Sequence, residues 1–213
     1  MGVQVHSSAA HPFEPPSVDA SRKSRRARRF DPNRKDRLLD VALDVIAERG
    51  VAGTTHRHIA AAADVSPGSL TYYFDGMSDL LEQAFRKHAI HGAALYEQHF
   101  DEVRTRSDLV EAITRLIVGN SASSERDSVI TFELYLAAKR DSALRAITEQ
   151  WMSSSREVLR RYMDASTARG VDALIEGLTI HMLLSTRPVD RAQVTAYVDR
   201  AVGESALRFG EAP

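Results

Sequence analysis

The fold is decided by residues 54–74, which read Thr-Thr-His-Arg-His-Ile-Ala-Ala-Ala-Ala-Asp-Val-Ser-Pro-Gly-Ser-Leu-Thr-Tyr-Tyr-Phe. Thr55 can cap a short helix, and after a tight turn Ser66 can cap a second one. Pro67 suits the first position of that second helix, because no N–H is needed there. Two short helices joined by a tight turn indicate a helix-turn-helix, whose second helix enters the major groove of DNA.

A longer amphipathic helix is predicted before this stretch, from Arg34 to Gly50. Its apolar residues recur three and four positions apart, at Leu38, Val41, Ala42, Val45 and Ile46. After Gly76 the same spacing predicts six further helices, at about 77–102, 107–119, 126–140, 142–168, 171–186 and 190–209. No alternating β-branched pattern competes with them. We therefore expect an all-α fold of about nine helices.

The net charge of −1 conceals a strongly basic segment near the N-terminus. Residues 21–37 contain nine Lys or Arg against two Asp, a local net charge of +7, and residues 1–32 hold four of the seven prolines. Such a segment cannot bury enough apolar surface to fold, so we expect residues 1–32 to form a disordered basic arm. Clustered cations bind phosphates by releasing counterions, and the predicted phosphate contacts are Arg25, Arg26, Arg28 and Arg29. A solvated leader without a partner is the alternative.

Composition excludes several classes of protein. The chain has 213 residues, 43% of them hydrophobic, and no cysteine, so disulfide scaffolds and thiolate chemistry are excluded. No apolar run is long enough to span a bilayer and no secretory signal is present, so we expect a cytoplasmic protein without a membrane partner. Nucleophile motifs of the GxSxG type and phosphate loops are missing, and we predict neither catalytic residues nor a cofactor.

Residues 54–74 closely resemble the DNA-binding signature of the TetR family of bacterial transcriptional regulators. The resemblance begins at Arg37-Leu-Leu-Asp-Val-Ala-Leu-Asp-Val-Ile-Ala-Glu-Arg-Gly50, runs into Leu80 and Leu81, and spans roughly residues 34–90. It implies a three-helix DNA-binding domain over 33–93 and a helical ligand-binding and dimerisation domain over 94–213. It also implies a repressor that binds a palindromic operator in double-stranded DNA as a homodimer and is released by a small-molecule effector.

Carried over by this resemblance, the predicted DNA contacts are Thr55, Arg57, Ser66, Pro67, Ser69, Thr71, Tyr72 and Tyr73. Hydroxyl and guanidinium groups hold phosphates and set the register of a protein on the duplex. The alternative is that the Thr and Ser side chains only cap helices and that the tyrosines pack in a core. Three positions depart from the family pattern: Thr71 replaces a usual Tyr, Met77 a common Lys, and Asp64 a turn Gly. Aspartate tolerates a left-handed turn position.

Bulky or polar-tipped residues of the middle helices are the predicted pocket: Tyr96, Phe100, Phe132, Tyr135, Trp151, Met152, Tyr162 and His181, with Glu133 as a further polar candidate. Apolar stripes on the last two helices predict a dimer interface of Leu174, Leu178, Met182, Val194, Tyr197, Val198 and Ala201. Packing inside one subunit is the alternative for both groups.

Two other functions remain open at this point. The spacing of His88, His91 and His99 would allow two metal ligands on one helix face, although no Glu-x-x-His repeat accompanies them and we predict no metal site. A DNA-binding regulator without a small-molecule effector, whose C-terminal region serves dimerisation or a protein partner, fits the sequence equally well. A stabilising metabolite in a thermal-shift screen would distinguish a ligand sensor from that alternative.

Overall fold

The computed structural model describes residues 33–123, 125–187 and 190–203, with only the backbone described for residues 120–123. Over these residues it contains nine helices and no strand, which confirms the all-α prediction. They are α1 (Arg34–Gly53), α2 (His56–Ala62), α3 (Pro67–Tyr73), α4 (Gly76–Gln98), α5 (Arg106–Ser123), α6 (Glu125–Ala138), α7 (Ser142–Leu159), α8 (Ala165–Leu184) and α9 (Arg191–Val202). The predicted arm, with Arg25, Arg26, Arg28 and Arg29, lies outside the described residues.

The helices enclose two apolar cores. The first joins the inner faces of α1–α4 to Ile130 and Leu134 of α6 and to Leu144 and Ile147 of α7. The second packs α5 against the end of α7 and against α8 and α9. The first core therefore crosses residue 93, the predicted domain boundary, and α4 runs through that boundary without a break. Of the three front helices, α1 packs directly against α6 in the C-terminal half.

Ion pairs hold α1 against two of its neighbours. Lys87 of α4 lies 2.8 Å from Asp36 and 2.6 Å from Asp40. Arg126 of α6 lies 2.7 Å from Asp44. Exposed pairs contribute little each, about 0–1 kcal/mol, but these connect α4 and α6 directly to α1.

One helix boundary was predicted wrongly. The apolar spacing predicted a single helix over 142–168, whereas α7 ends at Leu159 and α8 begins at Ala165. Asp164 is the reason, because its carboxylate accepts hydrogen bonds from the backbone N–H groups of Ser166 and Thr167, 2.8 and 3.1 Å long. That is the arrangement of a helix N-cap, and it starts α8 six residues before the predicted 171.

None of the described helices has the length and apolar character that a membrane-spanning segment needs.

Candidate DNA-binding surface and ligand cavity

The turn between α2 and α3 has the predicted left-handed residue. Asp64 has a φ of +51°, a conformation that most non-glycine residues avoid. Thr55 caps α2 as expected, accepting a hydrogen bond from the N–H of His58 at 3.3 Å. Ser66 occupies the cap position of α3 but makes no capping hydrogen bond, since its Oγ pairs instead with Oγ of Ser69 at 3.1 Å. The predicted Ser66 cap is therefore wrong in its chemistry.

One face of α3 is fully available to a partner. Leu70 and the following Phe74 are buried in the first core, which anchors the helix. Tyr72 is 81% exposed, and Pro67 and Thr71 are exposed beside it. This surface also has Ser66 and Arg57 exposed and Ser69 half-buried. The face therefore presents hydroxyls, a guanidinium and a phenol, which are groups that bind DNA phosphates and base edges.

Tyr73 differs from Tyr72 in its surroundings. It is half-buried, packs against the first core and meets the Tyr72 ring edge to face with centroids 4.9 Å apart. Met77, at a position where the family often has Lys, is also half-buried against that core. Of these three side chains, Tyr72 alone extends freely from the surface.

A cavity of about 320 Å³ lies between α4, α5, α6, α7 and α8. Its apolar walls come from Tyr96, Phe132, Trp151 and Ile175, and its polar lining includes Asp127, Thr131, Ser155, Asp172, Glu176 and the three histidines His88, His91 and His99. Cavities of this size and mixed character accommodate small organic ligands.

Two carboxylates of α8, one turn apart, face the cavity. Asp172 is buried and accepts a hydrogen bond from the hydroxyl of Ser155 at 2.6 Å, with Nη1 of Arg156 at 3.7 Å. Glu176 accepts a hydrogen bond from the hydroxyl of Tyr135 at 2.8 Å. Burial raises the pKa of both carboxyls, since it penalises their charged forms.

His88 is neutral in the cavity wall. Burial, helped by Arg126 and His91, lowers the pKa of its ring to about 4. Its Nε2 lies 2.9 Å from Oγ1 of Thr131, and that hydroxyl donates its own proton to the carbonyl of Asp127. Thr131 must therefore accept at this contact, so the His88 proton lies on Nε2.

Tyr96 and Trp151 are two of the aromatic residues that line the cavity. The hydroxyl of Tyr96 is buried and has no hydrogen-bond partner among the described residues. The Trp151 ring lies so close to α4 that a Cβ built on Gly92 would overlap it. Gly92 therefore gives the indole its place in the wall.

The cavity includes three of the eight residues predicted for a pocket: Tyr96, Phe132 and Trp151. Phe100 and Tyr162 instead stack in the second core, where the Tyr162 hydroxyl donates to the carbonyl of Phe100. Tyr135 does not line the cavity but donates a hydrogen bond to Glu176, which does. His181 is exposed. Met152 follows Trp151 and is rotated about 100° from it around the helix.

Glu133, predicted as a polar pocket residue, has a different position. Its Oε2 accepts a hydrogen bond of 2.7 Å from the backbone N–H of Val51, near the end of α1. Gly50 just before it has a φ of +68°, which kinks α1 there. The carboxylate oxygens lie 3.1 and 3.2 Å from where a Cβ of Gly50 would stand. Glu133 thus binds the kink that leads into the helix-turn-helix.

Sequence reasoning missed the cavity carboxylates, although a signal was present. Asp172 and Glu176 are four residues apart and lie among the apolar residues of α8, with Thr179 continuing the same face. Acidic residues at helical spacing inside an apolar stripe are expensive unless they have a role. The stripe was interpreted only as a packing surface.

The predicted dimer face is divided by the structure. Val194 and Val198 are 3% and 0% exposed in the second core of a single chain, so these two predictions are wrong. Leu174, Tyr197 and Ala201 line an open groove between α8 and α9. Leu178 and Met182 are half-buried against the second core.

The three histidines do not form a metal centre with their neighbours. All three line the cavity, yet the described residues contain no group of three or more His, Cys, Asp or Glu placed to hold a metal ion.

An exposed helix-turn-helix joined to a helical domain with a partly open cavity is typical of DNA-binding regulators with a sensor domain. Comparison with known families agrees: the family described as bacterial regulatory proteins, tetR family, matches residues 38–84, and the tetracyclin repressor-like C-terminal domain matches residues 104–204. The transcriptional regulator BetI 1 of Chromohalobacter salexigens is 30% identical over 186 residues, which cover 79% of this chain and 89% of that regulator. The chain belongs to the TetR family of transcriptional regulators.

Other similar proteins differ in how much of the chain they match. The transcriptional repressor KstR2 of Rhodococcus jostii is 39% identical over 72 residues, 34% of this chain and 31% of its own length. Among solved structures, the transcriptional regulator SCO7518 of Streptomyces coelicolor superposes with a TM-score of 0.75 at 41% identity, covering 81% of this chain and all of that one. The multidrug binding protein EbrR in complex with ethidium gives a TM-score of 0.70 at 30% identity, covering 80% and 99%.

Proposed function

We propose that this protein is an effector-responsive repressor that binds a palindromic operator as a homodimer. The observation that carries the proposal is the double attachment of the cavity to the DNA-binding helices. Both α4 and α6 line the cavity, and both are bonded to α1. We assign the protein no catalytic step, and because its target is operator DNA we place it in the cytoplasm.

The DNA contacts are proposed on the exposed face of α3. Thr71 and Tyr72 are both exposed on α3 and are proposed to face the major groove, with Ser66 and Ser69 at the N-terminal end of the helix. Thr55, which caps α2, and Arg57 on α2 are proposed to hold phosphates, as are Arg25, Arg26, Arg28 and Arg29. The helix-turn-helix itself has a single arginine, so the electrostatic part of the affinity must come largely from residues 22–37.

The homodimer is proposed to form through α8 and α9. Leu174, Tyr197 and Ala201 line the groove between these helices, and Leu184 at the end of α8 is 76% exposed. A two-fold axis through such a face presents two recognition helices to half-sites about 34–36 Å apart, one turn of the duplex.

The effector is proposed to act through α4 and α6. A ligand in the cavity contacts Thr131 and Phe132 on one side of α6, while Glu133 on the other side binds the kink of α1. Lys87 links α4 to α1 in the same way. A ligand that favours a different position of these helices would change the spacing of the recognition helices, and only such differential binding can release DNA. EbrR, whose complexes contain ethidium, malachite green and proflavin, supports the cavity as a ligand site.

The substitution Tyr72→Ala tests the DNA contacts. Because Tyr72 is 81% exposed, its removal should leave the melting temperature within about 1 °C, in line with the small effects of most surface substitutions. Operator affinity should fall about 5- to 30-fold, the effect of one lost contact of about 1–2 kcal/mol. Leu136→Ala, which removes a 69% exposed side chain outside the helix-turn-helix, is the matched control. Equal operator affinity of the two variants in fluorescence anisotropy would contradict the proposal.

A further inference from the structure

The cavity contains one carboxylate that no cation balances. Asp127 pairs with Arg126 at 2.8 Å, and Asp172 has Arg156 at 3.7 Å. Glu176, by contrast, meets only the hydroxyl of Tyr135 among the described residues. No described residue of the lining is a lysine or arginine.

None of the three histidines of the lining is paired with Glu176 among the described residues. His88 stays neutral near pH 7, because burial lowers its pKa to about 4. His91 is exposed and His99 half-buried, and Nδ1 of His99 is engaged with the carbonyl of Leu95 at 2.8 Å. Around Glu176 the described lining therefore supplies no compensating positive charge. An unpaired buried carboxylate is costly for the empty protein and becomes favourable when a cation arrives.

The remaining walls suit the body of an organic cation. Trp151 and Phe132 present aromatic surfaces, and the faces of such rings attract positive charge. Tyr96 also lines the cavity, and its buried hydroxyl lacks a partner among the described residues. It offers a hydrogen bond to a polar group of the ligand.

We propose that the effector is an organic monocation with an apolar, aromatic body, whose charged centre binds at Glu176 and whose body lies between Trp151, Phe132 and Tyr96. The proposal rests on the cavity being the effector site. A cation balances the charged form of Glu176, which burial alone disfavours, and a neutral or anionic ligand of the same shape cannot do so.

The chain has one tryptophan, Trp151, and its indole lines the cavity, so its fluorescence reports occupancy directly. The probes are benzyltrimethylammonium and its uncharged isostere neopentylbenzene, which differ only in nitrogen against carbon at the branched centre. Titrated into the full-length protein, the cation is expected to bind at least about fivefold tighter than the isostere, the effect of one partly desolvated charge interaction.

Glu176→Gln removes the charge and keeps an oxygen that can accept the Tyr135 hydroxyl. We expect it to weaken the cation about tenfold and to leave the isostere within about twofold. Glu149→Gln, at an exposed position on α7, is the matched control and should change neither affinity.

Two results would overturn the inference. Equal affinity of cation and isostere for the unaltered protein does so without any variant, and so does a cation affinity that Glu176→Gln leaves unchanged. After either result, the cavity is still supported as the effector site if the isostere binds there and releases operator DNA. If neither probe changes the fluorescence of Trp151, the inference is overturned, and the result also counts against the cavity as the effector site.

Discussion

His88 is a buried histidine whose neutral form is part of the native packing. Its ring lies 5.5 Å from that of Trp151, centroid to centroid, and its Nε2–H donates to Thr131. The structure thus assigns this side chain to the wall of the cavity. Its role is visible in the pH dependence of stability, because its pKa differs between the folded and the unfolded chain.

The unfolded chain takes up a proton at His88 near pH 6.5, whereas the folded chain does so only near pH 4. The stabilising effect is therefore complete above pH 6.5 and is lost as the pH falls towards 4. His88→Gln keeps a donor to Thr131 and does not titrate. We expect its free energy of unfolding to fall less than that of the unaltered protein between pH 7 and pH 4, by on the order of 3 kcal/mol.

Urea unfolding at pH 7, 5.5 and 4.5 measures this difference. The raised pKa values of Asp172 and Glu176 work in the opposite direction, since protonation of these buried carboxyls favours the folded chain at low pH. They are present in both proteins and cancel in the comparison. Parallel pH profiles of the two proteins would contradict the assigned state of His88.

At the scale of the element, α6 connects the cavity to the DNA-binding helices. The hydrogen bond from the N–H of Val51 to Glu133 is its most direct link to the kink of α1. A half-buried bond to a charged acceptor contributes about 1.5–3 kcal/mol. Because α2 begins only five residues after Val51, this bond helps to set the position of the helix-turn-helix.

Glu133→Ala is therefore expected to lower the free energy of unfolding by about 1.5–3 kcal/mol and to weaken operator binding and its response to the effector. Glu133→Gln, which keeps an acceptor oxygen, should restore most of the operator affinity. The control is Glu125→Ala, at an exposed position on the same helix. Anisotropy titrations with and without a cavity ligand measure both effects. A fully responsive Glu133→Ala protein would show that α6 does not act through this bond.

The helices themselves were largely predictable from the sequence, but the contacts between them were not. Local chemistry was enough to place the turn at Asp64 and the nine helical segments, because capping and apolar spacing act within a few residues. Capping chemistry also identifies Asp164 as a helix N-cap, but the apolar spacing on both sides of it predicted one continuous helix. The contact between Gly92 and Trp151 joins α4 to α7, and no local pattern encodes such a contact.

Residue roles in the candidate site show the same limit. Tyr96, Phe132 and Trp151 were expected to line a pocket and do so, whereas Phe100 and Tyr162 have the same residue types and lie in the core. Aromatic side chains at helical spacing are compatible with either place. Whether such an aromatic side chain lines the cavity or packs in the core depends on the tertiary arrangement of the five helices around the cavity.

In the whole molecule, α3 is exposed on the surface, a cavity lies between α4, α5, α6, α7 and α8, and an open groove lies between α8 and α9. If two chains associate through that groove as proposed, each subunit presents the same α3 face to the duplex, and the target must be symmetric. The operator should therefore be a palindrome. Its affinity should depend steeply on salt, since much of the positive charge lies in the segment around residues 22–37.

Selection of binding sites from random duplexes with the purified full-length protein, followed by a salt titration on the enriched sequence, tests this central claim most directly. The account predicts a palindromic site with half-sites about 10 base pairs apart, centre to centre, and an affinity that falls steeply with salt. Recovery of no sequence above non-specific binding, or of an asymmetric site bound by a single chain, would contradict it.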